Sequence, residues 1–120
     1  GWRGVRAGIV ENAIAKFDSK NSAVLAYLGP AIGPCHFEVG DDVKSLFLAD
    51  SDIHASAFTP TSNNKFLCNL PLIVTQKLQA LGVTNITNSQ QCTVCRPESY
   101  YSYRRDGRTG RFASMIWIKD

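Results

Sequence analysis

The chain has 120 residues, 44% hydrophobic and 19% charged, with a formal net charge of +3. That is the composition of one small globular domain and excludes a disordered or low-complexity chain. The charge is too mild to argue for nucleic acid or an anionic membrane, and no run approaches the roughly 20 apolar residues of a membrane span.

The chain opens Gly1-Trp2-Arg3-Gly4, with neither an initiator Met nor the apolar stretch of a signal peptide. An opening inside what reads as a motif suggests a fragment. Val5, Ile9, Ala13 and Phe17 recur at four-residue spacing, which predicts an amphipathic helix over 5–17. The apolar run 23–28 predicts a buried strand. Two Gly-Pro pairs in Gly29-Pro30-Ala31-Ile32-Gly33-Pro34 then fix a stiff loop that ends in Cys35-His36. A short strand is predicted at 37–39. A helix follows, with Asp41 and Asp42 in its first turn and Val43, Leu46 and Phe47 on its buried face. Residues 50–64 are turn-rich, with a brief strand predicted at 55–58. Asn69 is placed to cap a helix carrying Pro71 in its first turn and Leu70, Val74, Leu78 and Leu81 inward, stopped by Gly82. Residues 83–87 alternate as a strand. Residues 100–103 and 112–118 predict two strands of a hairpin across the Gly107–Gly110 turn. Alternating strands and helices imply an α/β or α+β domain with a mixed sheet.

Four side-chain groups are candidates for chemistry. Cys35-His36 on a rigid turn reads as a thiolate nucleophile or a metal ligand, against a buried cysteine beside a surface histidine. His54 is the only other histidine. Cys92-x-x-Cys95 has metal-ligand spacing, but a structural zinc site needs a second pair of ligands. Beyond Cys35 only Cys68 remains as a further thiol, with no close partner, and Arg96-Pro97 follows as a turn, so the pair reads as reduced bystanders. Arg96, Arg104, Arg105, Arg108 and Arg111 beside Tyr100, Tyr101 and Tyr103 read either as an anion pocket or as a solvated hairpin. Four cysteines are too few for a disulfide scaffold, so a reducing, cytoplasmic setting with free or metal-bound thiols is expected.

Three segments, taken in order, resemble one family. They are Gly1-Trp2-Arg3-Gly4, Leu28-Gly29-Pro30-Ala31-Ile32-Gly33-Pro34-Cys35-His36-Phe37-Glu38-Val39-Gly40 and Ser102-Tyr103-Arg104-Arg105-Asp106-Gly107-Arg108-Thr109-Gly110-Arg111. The chain is similar throughout to the YfiH-like family, also named the polyphenol oxidoreductase (laccase) domain family. Residues 1–120 would form a single domain unit, the C-terminal half of that longer domain.

The resemblance implies mixed sheets in an α/β/β/α layered arrangement, distantly like cysteine hydrolases of the bacterial cytotoxic-factor type. It also implies a zinc site of His, Cys and His. The Cys falls on Cys35. The second His position falls at Asp52, and His54, two residues on, becomes the ligand after a loop shift, with His36 as the fallback. Arg3 and one of Arg104 and Arg105 are the phosphate-binding candidates. The implied activity is phosphorolysis of purine nucleosides, with adenosine deamination, on a small-molecule substrate and phosphate. Peptidoglycan-editing amidase chemistry with Cys35 as nucleophile, and a non-catalytic anion-binding module, are the alternatives. A laccase mechanism asks for several His-rich copper sites, which two histidines cannot build, so zinc is expected before copper.

Overall fold

In chain order the elements are α1 (Trp2–Arg6), α2 (Ile9–Ile14), β1 (Leu25–Leu28), β2 (Glu38–Gly40), α3 (Asp41–Asp50), β3 (Phe58–Pro60), β4 (Lys65–Cys68), α4 (Leu70–Ala80), β5 (Asn85–Asn88) and α5 (Tyr103–Asp106). Short 3-10 turns occupy Asn21–Ala23 and Asp52–Ala57. The computed structural model describes all residues 1–120.

Two sheets form. β1 and β5 pair in parallel, Leu25 opposite Asn85 and Leu28 opposite Asn88. β2, β4 and β3 make an antiparallel sheet with β4 central, Val39 opposite Phe66 and Phe58 opposite Cys68. The domain is therefore a mixed α/β structure, as its alternating pattern predicts.

The main core lies between the antiparallel sheet and the inner faces of α3 and α4. Phe47, Cys68 and Ile73 are completely buried there, with Val39, Val43 and Phe58 around them. A smaller cluster of Ile14, Val24, Leu78 and Val83 sits under the parallel pair. α4 faces both clusters and is fixed at each end. The Asn69 side chain accepts the Leu72 N–H at 3.1 Å, and Gly82 takes the left-handed turn (φ +85°) that ends it.

Four predicted elements differ. The helix over 5–17 is two short helices, parted at Gly8 with φ +93°, a conformation that only glycine adopts cheaply. The β1 strand is not buried on both faces. Ala26 and Leu28 pack on the smaller core while Leu25 and Tyr27 point outward, because helices cover only one side of the parallel pair. Residues 55–57 belong to the 3-10 turn, and the strand begins at Phe58, completing the sheet with β4. The hairpin at 100–118 does not form. Ser102 caps a one-turn helix instead, accepting the Arg105 N–H at 3.3 Å, and residues 107–120 run on without a strand partner.

Candidate metal centre

β1 and β5 are parallel, so the loops that follow them leave the same end of the sheet. Past that end the two chains stay in register. Ala31 donates its N–H to Gln91 O and accepts from the Thr93 N–H, both at 3.1 Å, which bridges Ala31 to Cys92. The stiff Gly-Pro loop then turns back, with the N–H groups of His36 and Phe37 both donating to Gly33 O. Cys35 and His36 are thereby laid against Cys92 and Cys95, some sixty residues away along the chain.

The Sγ atoms of Cys35, Cys92 and Cys95 and a ring nitrogen of His36 all lie within 4.8 Å of one another. His36 Nδ1 is 3.2 Å from Cys35 Sγ, 3.4 Å from Cys95 Sγ and 3.8 Å from Cys92 Sγ, and the Cys35 and Cys95 sulfurs are 3.5 Å apart. Gly33 makes this approach possible. A Cβ there would stand 3.2 Å from Cys92 Cβ and 3.4 Å from Cys35 Sγ. Its N–H donates to Cys92 Sγ at 3.3 Å.

The thiols are electrostatically unequal. Burial pushes Cys35 up, and the neighbouring Cys92 and Cys95 add to this, to about 12. For Cys92 burial acts in the same direction, but the backbone N–H groups of Gly33, Cys95 and Val94 and the Cys35 thiol outweigh it and bring the group down to about 6. The first negative charge of the cluster therefore rests on Cys92. Cys68 lies apart in the main core, and burial alone raises it to about 12.

The Cys92-x-x-Cys95 pair is not isolated: the fold brings Cys35-His36 to it from a distant loop, and the four residues together could hold a metal ion. His36, rather than His54, joins the group. His54 is buried in the 3-10 turn at 52–57, its Nδ1 hydrogen-bonded to Gln76 Oε1 at 2.8 Å and its ring edge-on to Phe47. Gln76 is itself fixed by donating to Ile53 O and Ser56 Oγ, both at 3.0 Å. His54 is committed to the packing of α4 and is not among the residues gathered round Cys35.

The arginines divide in the same way. All five donors of Arg105 are engaged: Asp106 takes two, and the carbonyls of Thr93, Val94 and Tyr100 take one each. None remains for a phosphate, so Arg105 is a clamp on the loop that carries Cys92 and Cys95. Arg104 donates to Glu38 O at 3.0 Å and lies over the Phe37 ring. Arg3 lies over Trp2. Beside the cluster is a cleft of about 270 Å³, lined by Gly29, Gly33, Asn69, Asn88, Gln90 and Gln91 among others.

A family model described as multi-copper polyphenol oxidoreductase laccase matches residues 1–119. The chain belongs to this family. It is 42% identical over 121 residues to a protein of Haemophilus influenzae named "Purine nucleoside phosphorylase", covering 99% of this chain and 50% of that one. It is also 42% identical over 118 residues to "Purine nucleoside phosphorylase YfiH" of Escherichia coli, covering 98% and 48%. Among solved structures, a Neisseria meningitidis protein superposes with a TM-score of 0.86 at 38% identity, over 89% of this chain and 44% of that one. YlmD from Geobacillus stearothermophilus gives 0.80 at 30% identity, over 89% and 42%. The laccase-family chain thus spans about half the length of the curated relatives it matches. No helix in it is long and apolar enough to cross a membrane.

Proposed function

We propose that the chain serves the phosphorolysis of purine nucleosides to free base and ribose 1-phosphate, as the C-terminal part of a domain about twice its length. The observation that carries this reading is the match of nearly the whole chain, at 42% identity, to proteins named purine nucleoside phosphorylase.

The chemistry of the cleft supports it. Asn69, Asn88, Gln90 and Gln91 line one concave surface. Because the side-chain oxygens of Asn69, Asn88 and Gln91 already accept from Leu72 N–H, Gln90 N–H and the Tyr100 hydroxyl, their amide nitrogens are what they offer to the edge of a purine. Gly29 and Gly33 leave room for a ring to approach the backbone. Cleavage of the N-glycosidic bond leaves negative charge on the departing base. Amide donors aimed at the ring stabilise that charge as it develops. The attacking phosphate needs cationic forks, and Arg3 and Arg104 are the two proposed here, since Arg105 has no free donor. No step is assigned to a metal, because His54 stands apart from Cys35. Adenosine deamination belongs to the same proposal as a second activity on the same base.

The amidase alternative needs Cys35 as a thiolate nucleophile. A thiol raised to about 12 is protonated at neutral pH, which counts against that role.

The test is direct. Adenosine and inosine are incubated with inorganic phosphate and the protein, including any residues that flank this chain, and base and ribose 1-phosphate are separated and measured. Phosphate-dependent release of the base is expected. Nucleosides left intact with phosphate present would overturn the reading.

A further inference from the structure

We propose that Cys35, His36, Cys92 and Cys95 form a closed, four-ligand tetrahedral zinc site that locks the loop after β1 to the loop after β5. The site stands on its own geometry and does not depend on the reaction proposed above.

The four ligand atoms are close enough to share one tetrahedral ion. Zn–S bonds of about 2.3 Å and Zn–N bonds of about 2.0–2.1 Å place tetrahedral ligand atoms about 3.8 Å apart for two sulfurs and about 3.5 Å apart for sulfur and nitrogen. The separations of 3.2, 3.4 and 3.8 Å from His36 Nδ1 to the three sulfurs bracket the sulfur–nitrogen value, the Cys35–Cys95 separation of 3.5 Å is slightly under the sulfur–sulfur value, and all four ligand atoms lie within 4.8 Å of one another. Thiols that merely packed together would have no reason to gather round one imidazole nitrogen.

The surroundings are built for thiolate. The backbone N–H groups of Val94 and Cys95 turn toward the sulfur of Cys92, two and three residues earlier, as a Cys-x-x-Cys turn does when it grips a metal. The Gly33 N–H adds a donor from the opposite loop. Arg105 fixes the Cys92–Cys95 loop through the carbonyl groups of Thr93 and Val94 and ties it to Tyr100 O further along.

Ligand number decides what the ion does. Four protein ligands fill a tetrahedron and leave no position for water, which is the pattern of structural zinc rather than catalytic zinc. Three thiolates and an imidazole favour zinc over hard ions. On binding, zinc displaces the remaining thiol protons, which pass to solvent. The ion would fasten two segments already joined by the Ala31 bridge and the Gly33 hydrogen bond. A site of this kind requires reduced thiols, in keeping with a reducing compartment.

The experiment uses cobalt as a spectroscopic stand-in for zinc. Metal-free protein, held reduced, is titrated with Co²⁺ and then with Zn²⁺, and visible absorption and melting temperature are followed. One equivalent should give the intense visible bands of tetrahedral cobalt with strong thiolate charge transfer, displaced by zinc, and should raise the melting temperature. Cys95 is exposed, so Cys95→Ser spares the core. It should remove about a third of the charge-transfer intensity and weaken binding at least ~10-fold, as one of three sulfur ligands. His54→Gln should leave the spectrum unchanged. A pale octahedral spectrum, or one insensitive to Cys95→Ser, would overturn the proposal. A spectrum lost in His54→Gln while the variant still melts cooperatively would do the same. Phosphorolysis is assayed separately, so either proposal can fail alone.

Discussion

Cys92 is the residue on which the electrostatics of the loop pair turns. Backbone N–H groups from two loops hold its thiol near 6, well below the ordinary thiol value. A group whose folded pKa is depressed stabilises the fold fully above its unfolded value, and that contribution is lost as pH falls through the folded one. Cys35 has the opposite sign. Its raised value stabilises below the ordinary range and is lost as pH climbs toward about 12. The melting temperature of the metal-free protein should therefore rise from pH 6 to about 8.5 and fall at higher pH. Cys92→Ser should flatten the rise, and ultraviolet thiolate absorption should lose its lowest titration step. A metal-free melting curve that is flat across that window would contradict the assignment. None of this was readable from Cys92 alone. Its spacing to Cys95 signalled a ligand pair, but the partners lay in a distant loop, and only the parallel pairing of β1 with β5 brings them together.

Among the elements, the short turn of α5 holds that loop in place. The capped turn of α5 aims Arg105 back at the carbonyls of Thr93, Val94 and Tyr100 while Asp106 grips the guanidinium from its other side. A lysine has the charge but not the planar fork. Arg105→Lys should weaken metal binding by roughly 10–100-fold, with little change in far-ultraviolet circular dichroism. Equal zinc affinity in the variant and the parent would show that the clamp does not support the centre. The elements legible in sequence were those with local signals: α3 with its acidic first turn, and α4 with Asn69, Pro71 and Gly82 at its ends. The hairpin expected at 100–118 does not form, although Tyr100, Tyr101 and Tyr103 are residues that strands favour. Ser102 at the cap position decides for a helical turn. His54 followed a motif register, and its choice of Gln76 as partner is a tertiary fact.

Across the whole molecule, apolar surface is distributed unevenly. Met115, Ile116, Trp117 and Ile118 are each at least 76% exposed, and Leu25 and Tyr27 lie open on β1. An apolar face of this kind is costly in water. The isolated 120-residue chain should therefore self-associate as its concentration rises. Ile116→Lys with Ile118→Lys should suppress this in light scattering without lowering the melting temperature, since neither side chain packs in either core. A monomeric parent at high concentration would count against that view. The family and the mixed α/β class were legible because three ordered motifs run through the chain and its periodicities alternate. The ligand set was not, because it is assembled by long-range pairing.

The central claim is that one ion binds three sulfurs and one nitrogen from two loops. X-ray absorption at the zinc edge of the zinc-loaded protein reads those ligands directly. The account predicts three Zn–S bonds at about 2.3 Å, one Zn–N bond at about 2.0–2.1 Å and no bound water. A first shell with a single sulfur, completed by nitrogen and oxygen, would contradict it.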